Sequence, residues 1–245
     1  MIISICGYDG IVMAADSGAS RHIIMSDMKM LLAFAMDKGI QDAIIKSHDE
    51  GDNLSFCFSD TYEKIHIMQN GIAVSEGGAY RANGGSIKPY LEHFYRNSVF
   101  NTAGEAAEAL LKYIKGIAPD IKAGFHVCGY DPPDEKYKIP IPRVYFVNTL
   151  DHKVISLEKG TTGVMQHAAN DYMEPMSKLV VNNLGSLTLQ DTIDYAVFAI
   201  KASAMYEKCV LLNNRISGPV DVLVIRPYQM EWVSKKKLCV EDNQI

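Results

Sequence analysis

Cysteine is scarce and odd in number. Cys6, Cys57, Cys128, Cys209 and Cys239 are widely spaced, with no CxxC pair. That excludes a disulfide framework and points to buried thiols in a reducing cytoplasm. Long apolar runs are missing too. The richest, Met30 to Met36, ends at Asp37, far short of the ~20 residues of a membrane span, so no membrane association is expected. The opening Met-Ile-Ile-Ser has no basic segment and reaches Asp9 too soon for a secretory signal. Basic charge is not in excess: 24 Lys+Arg stand against 29 Asp+Glu, a net −5. A nucleic-acid binder would normally show a basic face, so no nucleic-acid partner is expected. GxxxxGK[ST], GxGxxG, HExxH and GxSxG are all absent, which removes the usual entry points for nucleotide, zincin and serine-elbow readings. His126 and Cys128 would share one strand face, but a metal site needs two more ligands, and no metal or cofactor is expected.

The 245 residues, 48% hydrophobic and 22% charged, are ordinary for a globular chain and enough to bury roughly 70–75% of the unfolded surface without staples. Two apolar runs, Ile2 to Cys6 and Ile11 to Ala15, flank Tyr8-Asp9-Gly10 and predict a hairpin. A second hairpin is expected from Lys64–Met68 and Ile72–Ser75 around Gln69-Asn70-Gly71. Leu54 to Phe58 alternates like a strand. Ser86 with Pro89 opens a helix whose apolar face holds Ile87, Leu91, Phe94 and Tyr95. Thr102 with Glu105 caps a second, with Ala107, Leu110, Leu111 and Ile114 at helical spacing. Strands are expected over Ala123–Gly129, Arg143–Asn148, Lys153–Leu157 and Val220–Ile225. Helices are expected over Gln166–Asn182 and from Thr188, with Asp191 as capping partner, to Cys209. Hairpins with grouped helices predict an α+β fold with mainly antiparallel sheets, helices covering both outer faces of a sandwich. Residues 227–245, with Lys235-Lys236-Lys237, read as a solvated tail.

The residues that carry chemistry are few. Asp16 closes an otherwise apolar strand, where a carboxylate needs a cation or donors. Lys64, opening a strand before Gly71 and Gly77-Gly78, is a natural partner. By itself that combination fits an ion pair at a sheet edge.

Five segments in order carry a resemblance. Tyr8-Asp-Gly-Ile-Val-Met-Ala-Ala-Asp16-Ser17 resembles the opening of proteasome-type N-terminal-nucleophile hydrolases, close to the 20S β-subunit and bacterial protease-ring pattern. Tyr62-Glu-Lys64-Ile-His-Ile with Gly71 to Gly78 resembles that family's lysine strand and glycine turn. Val127 to Asp131 with Arg143 to Asn148 resembles its central hairpin. Glu158 to Gly163 resembles its Gly/Ser loop, and Ser217 to Ile225 its last loop and strand. The resemblance implies a four-layer α-β-β-α sandwich over one domain, 1–226, with 23–56 as an insertion into the family pattern. It also implies assembly with copies of the same chain into a ring or partial ring.

In that family a terminal Thr, Ser or Cys uses its own α-amine as base, because an α-amine with pKa near 8 can accept a proton at neutral pH. The resemblance assigns Asp16 and Lys64 to the charge pair and Gly78, or Gly77, to the oxyanion donor. It assigns Thr161 and Ser217 to the two loop hydroxyls. Asn214 stands where the family has an aspartate, and Met1 aligns with the residue after the nucleophile. Ser4 and Cys6 are the nucleophile types nearest the start, but both lie inside the first strand. The expectation is a self-assembling protein of this fold without threonine-type peptidase activity. The alternatives are an active peptidase or amidase after N-terminal processing or from an upstream start, and an unrelated small-molecule-binding α+β protein. Met25, Met28, Met30, Leu31 and Leu32 in 23–56 would attract a protein partner if exposed, or cover their own domain if folded back.

Overall fold

The computed structural model describes residues 1–22, 55–78, 81–82, 85–167, 184–210 and 214–237. Strands β1 (Ile2–Cys6) and β2 (Ile11–Asp16) form the expected first hairpin, closed by Gly7 N–H donating to Gly10 O at 2.9 Å. β3 (Ala19–His22) pairs with β4 (Ser55–Ser59). β5 (Ile65–Ile67) and β6 (Ala73–Gly78) form the second hairpin, around Asn70 and Gly71 in left-handed conformation. A short β7 (Arg81–Ala82) and β8 (Gly85–Ser86) lead into helices α1 (Lys88–Asn97) and α2 (Ala103–Ile117). Then come β9 (Ala123–Asp131), β10 (Ile141–Asn148), β11 (Lys153–Ser156) and β12 (Gly163–His167). Helix α3 (Leu189–Cys209), β13 (Val220–Arg226) and β14 (Gln229–Ser234) complete the described chain.

The fold is α+β. Two antiparallel five-stranded sheets have the orders β12-β1-β2-β13-β14 and β11-β10-β9-β6-β5. Alternate residues of a strand face opposite sides, so β1 divides its apolar side chains between two clusters. Ile2 and Cys6 join Ile11, Met13, Leu223 and Ile225, which pack with Ile65, Ala73, Cys128 and Val144 of the other sheet. Met1, Ile3 and Ile5 join Ile193, Ala196, Ala199 and Ile200 of α3. A third cluster sets Leu91, Phe94, Leu110 and Ile114 of α1 and α2 against Val74, Phe125, Val127 and Val147. No helix among the described residues is long and apolar enough to cross a membrane.

Several expectations change. Gln166 and His167 are strand, because Ile3 and Ile2 of β1 take them as ladder partners. Residues 168–182 of that expected helix lie outside the described residues, as does the 23–56 insertion apart from Ser55 and Phe56. The tail expected over 227–245 is strand in part. Residues 229–234 pair with β13, and the side chain of Lys236, in the expected solvated run, is 3% exposed. Ser86 is not the N-cap of α1; Ile87 holds that place, while Ser86 Oγ accepts from Lys88 N–H at 3.2 Å. Thr102 caps α2 through Glu105 N–H, but the Glu105 carboxylate turns to Asn101 N–H rather than back to Thr102.

Candidate functional site

Asp16 sits at the end of β2 with 1% exposure, and four donors meet its carboxylate. Oδ1 receives the Met1 α-amine, in a short contact, and Lys64 Nζ at 2.7 Å. Oδ2 receives Gly18 N–H at 2.8 Å and Ser217 N–H at 3.2 Å. Burial alone would raise the Asp16 pKa. The Met1 amine and the Lys64 ammonium outweigh it and hold the carboxyl below its ordinary range. Burial pushes the Met1 α-amine down from 8.0 to about 6; Asp16 pulls it back up in part, and Lys64 adds to the fall. Near neutral pH this amine is therefore mostly unprotonated and can accept a proton.

Each element delivers one part. The register Ile2↔Ala15 sets Met1 opposite Asp16, and Asp16 N–H donates to Met1 O at 3.3 Å. The Gly7–Gly10 turn closes the hairpin that sets the Met1 amine on the Asp16 carboxylate. Lys64 is anchored by its own carbonyl, which accepts from Glu76 N–H at 2.8 Å. The Glu76 carboxylate is buried and takes Tyr62 Oη at 3.2 Å and Tyr95 Oη at 3.0 Å. The loop bearing Ser217 is tied to α3, where buried Glu207 accepts from Ile216 N–H at 2.5 Å and Arg215 Nε at 2.8 Å. Gly18 must lack a side chain: a Cβ there would stand 2.6 Å from Ser217 Oγ and 2.8 Å from Arg215 O.

The structure thus brings Asp16, Lys64 and Ser217 together, the last through its backbone N–H. Gly77 faces Ile2 and the His167 ring, while Gly78, with φ +100°, is turned against Lys122 O. Thr161 closes a local turn, its hydroxyl and N–H both donating to Glu158 O at 2.8 and 3.2 Å. Asn214 is exposed. Ser4 is fully buried and bonded to His126 Nδ1 at 3.0 Å. Cys6 is buried, and burial pushes its thiol up to about 11, with Arg143 opposing weakly. Such a thiol is inert. Neither Ser4 nor Cys6 touches Asp16.

His167 was not singled out from the sequence, having no recognisable spacing to another chemical residue. It joins the site through β12, opposite Ile2. Burial first, then the Met1 amine charge, lowers its pKa to about 4, so its imidazole is neutral. Its ring fills the room that two glycines leave: a Cβ on Gly124 would stand 2.7 Å from it, and on Gly77 3.0 Å. Among the described residues no cluster of three or more His, Cys, Asp and Glu could hold a metal. A groove between β5, α1 and β14, lined by Glu63, His66, Tyr95, Arg96, Trp232 and Lys235, does not include Asp16 or Lys64.

No protein-family model and no curated protein matches the sequence. Among the solved structures that resemble the fold are two Anbu proteins. One is Anbu (ancestral beta-subunit) from Yersinia bercovieri, with TM-score 0.57, 15% identity, and coverage of 96% of this chain and 87% of that one. The other is an Anbu (Gly-1) mutant from Hyphomicrobium sp. strain MC1, with TM-score 0.57, 14% identity, and coverage of 99% and 88%. These findings correct the resemblance drawn from the sequence. These two neighbours belong to Anbu, a proteasome-like family distinct from the 20S β-subunits and bacterial protease rings of that resemblance. At this identity the likeness reaches the fold alone.

Proposed function

We propose that this chain is a proteasome-like subunit, distantly related to the Anbu proteins, that assembles with copies of itself and has no threonine-type peptidase activity. One observation carries the proposal. Asp16 and Lys64 are paired in the interior, but the candidate nucleophiles of β1 are held away from them: Ser4 is fully buried against His126, and Cys6 is buried with its thiol pushed up to about 11. Acyl transfer needs an activated hydroxyl or thiol to attack, and neither side chain is one. The charge cluster then serves the fold. The same proposal includes a four-layer α-β-β-α arrangement, supported by three apolar clusters that run helix to sheet, sheet to sheet and sheet to helix. It also takes residues 1–226 as one domain.

The test is intact mass and N-terminal sequencing of protein purified from its own host, with native mass and hydrolysis of fluorogenic peptides on the same preparation. The expected result is a chain beginning at Met1, no turnover above blank, and a native mass that is a multiple of 27.1 kDa. A chain beginning at Ser, Cys or Thr whose turnover disappears on Lys64→Ala overturns the inactive reading. A monomer overturns the assembly.

A further inference from the structure

Lys236 follows β14, in the segment the sequence marks as a solvated charge run, yet its side chain and that of Asp221 are each only 3% exposed. Lys236 grips Asp221 twice: its backbone N–H donates to Oδ1 at 2.8 Å, and its ammonium meets Oδ2 in a short contact. The ammonium also donates to Ser17 Oγ at 2.9 Å, and the Ser17 hydroxyl donates onward to Pro219 O at 2.7 Å. Lys235 and Lys237, on either side, stay exposed. Burying one lysine of three costs desolvation that a solvated run would avoid. Pinning β14 does not call for it, because the β13–β14 ladder already closes at Val222↔Ser234. The lysine reaches past the ladder to the turn that follows Asp16.

We infer that Lys236 is a positioning residue for the Asp16 site. It clamps Ser17 to the Ser217–Pro219 loop, so that Gly18 N–H and Ser217 N–H both meet Asp16 Oδ2. The contacts form one chain. Ser17 N–H donates to Ser217 O at 3.1 Å, and Ser217 N–H returns to Asp16, whose other oxygen holds Lys64 and the Met1 amine. Without the ammonium, the Ser17 hydroxyl keeps only its bond to Pro219 O, and the turn after Asp16 loses its side-chain tie to β13. The inference rests on reading the Asp16 cluster as the site.

Lys236→Met alone leaves Asp221 buried and unpaired. The informative variant is therefore Lys236→Met with Asp221→Asn, in which neither charge remains, beside Lys236→Arg, in which both do. The measurements are amide exchange by residue and NMR titration of the Met1 α-amine. In the double variant, exchange at Ser17, Gly18 and Ser217 should quicken by about tenfold or more, because these amides open locally while β1 and β13 keep their protection. The α-amine should titrate nearer its ordinary 8.0 as water enters, and Lys236→Arg should restore both. Unchanged amine titration and unchanged exchange at those three amides, with protection lost only over residues 229–237, would overturn the inference and leave Lys236 as a pin for the last strand. Peptide hydrolysis on the wild-type preparation tests the functional reading separately. Turnover there would defeat that reading without altering the exchange result.

Discussion

Asp16 is the residue on which the site depends, because all four of its donors lie on different segments of chain. Asp16→Asn removes the one anion that accepts from both Lys64 and the Met1 amine and leaves the Lys64 ammonium without its carboxylate in the interior. Breaking a buried pair in this way costs ~3–5 kcal/mol, and the expected outcome is a urea midpoint lowered to match. Lys64→Met should cost less, since the Met1 amine and two backbone N–H groups still hold the carboxylate. An Asp16→Asn protein as stable as wild type would show that the cluster contributes nothing to folding. The pairing of Asp16 with Lys64 could be anticipated from the chemistry of a carboxylate at the end of an apolar strand. The places of Met1 and His167 could not, because both depend on which strands lie beside β1.

At the scale of the element, local rules worked where the signal was local. Thr188 and Asp191 form a full capping box on α3, each side chain bonded to the other's backbone N–H. Thr188→Ala should lower stability by ~1 kcal/mol, read as a fall in Tm. A Tm that does not move would show that the first turn is held by packing alone. Helix α3 matters to the site because its buried Glu207 anchors the loop carrying Ser217. Local rules failed at Gln166 and His167. Helix formers nearby suggested a helix, but the free edge of β1 recruits both residues as strand, and ladder bonds outweigh weak propensity.

For the whole molecule, three buried bases act in one direction with pH. His126, fully buried, is lowered to about 3 by desolvation and, secondarily, by His167. His167 is lowered to about 4, and the Met1 amine to about 6. Each is a base whose folded pKa lies below its unfolded value. The unfolded chain therefore binds more protons between the two values, and stability rises with pH across that window. The windows run from about 3 to 6.5, about 4 to 6.5, and about 6 to 8.0. Asp16, held below 3.8, adds stability that is complete above that value and lost as pH falls through its folded pKa. Urea midpoints measured from pH 4 to 8 should climb throughout. A flat or falling profile would contradict the burial of these groups.

Much of the α+β fold was legible in the sequence because hairpins, capped helices and apolar periodicity are written in neighbouring residues. The first hairpin, the cores of α2 and α3, and the antiparallel character of the sheets all follow from contacts within a few turns of chain. From its residues alone the candidate site was legible only as an Asp16–Lys64 pair, with Ser217 added by the resemblance. Its remaining parts meet across long separations: Lys64 lies 48 residues from Asp16, Ser217 lies 201 away, and Lys236 lies 219 from Ser17. A run of three lysines carries no mark of which one will be buried. That choice was made by Asp221, a carboxylate in the sandwich interior that required a cation, and only the packing of β13 and β14 against the end of β2 brought one to it.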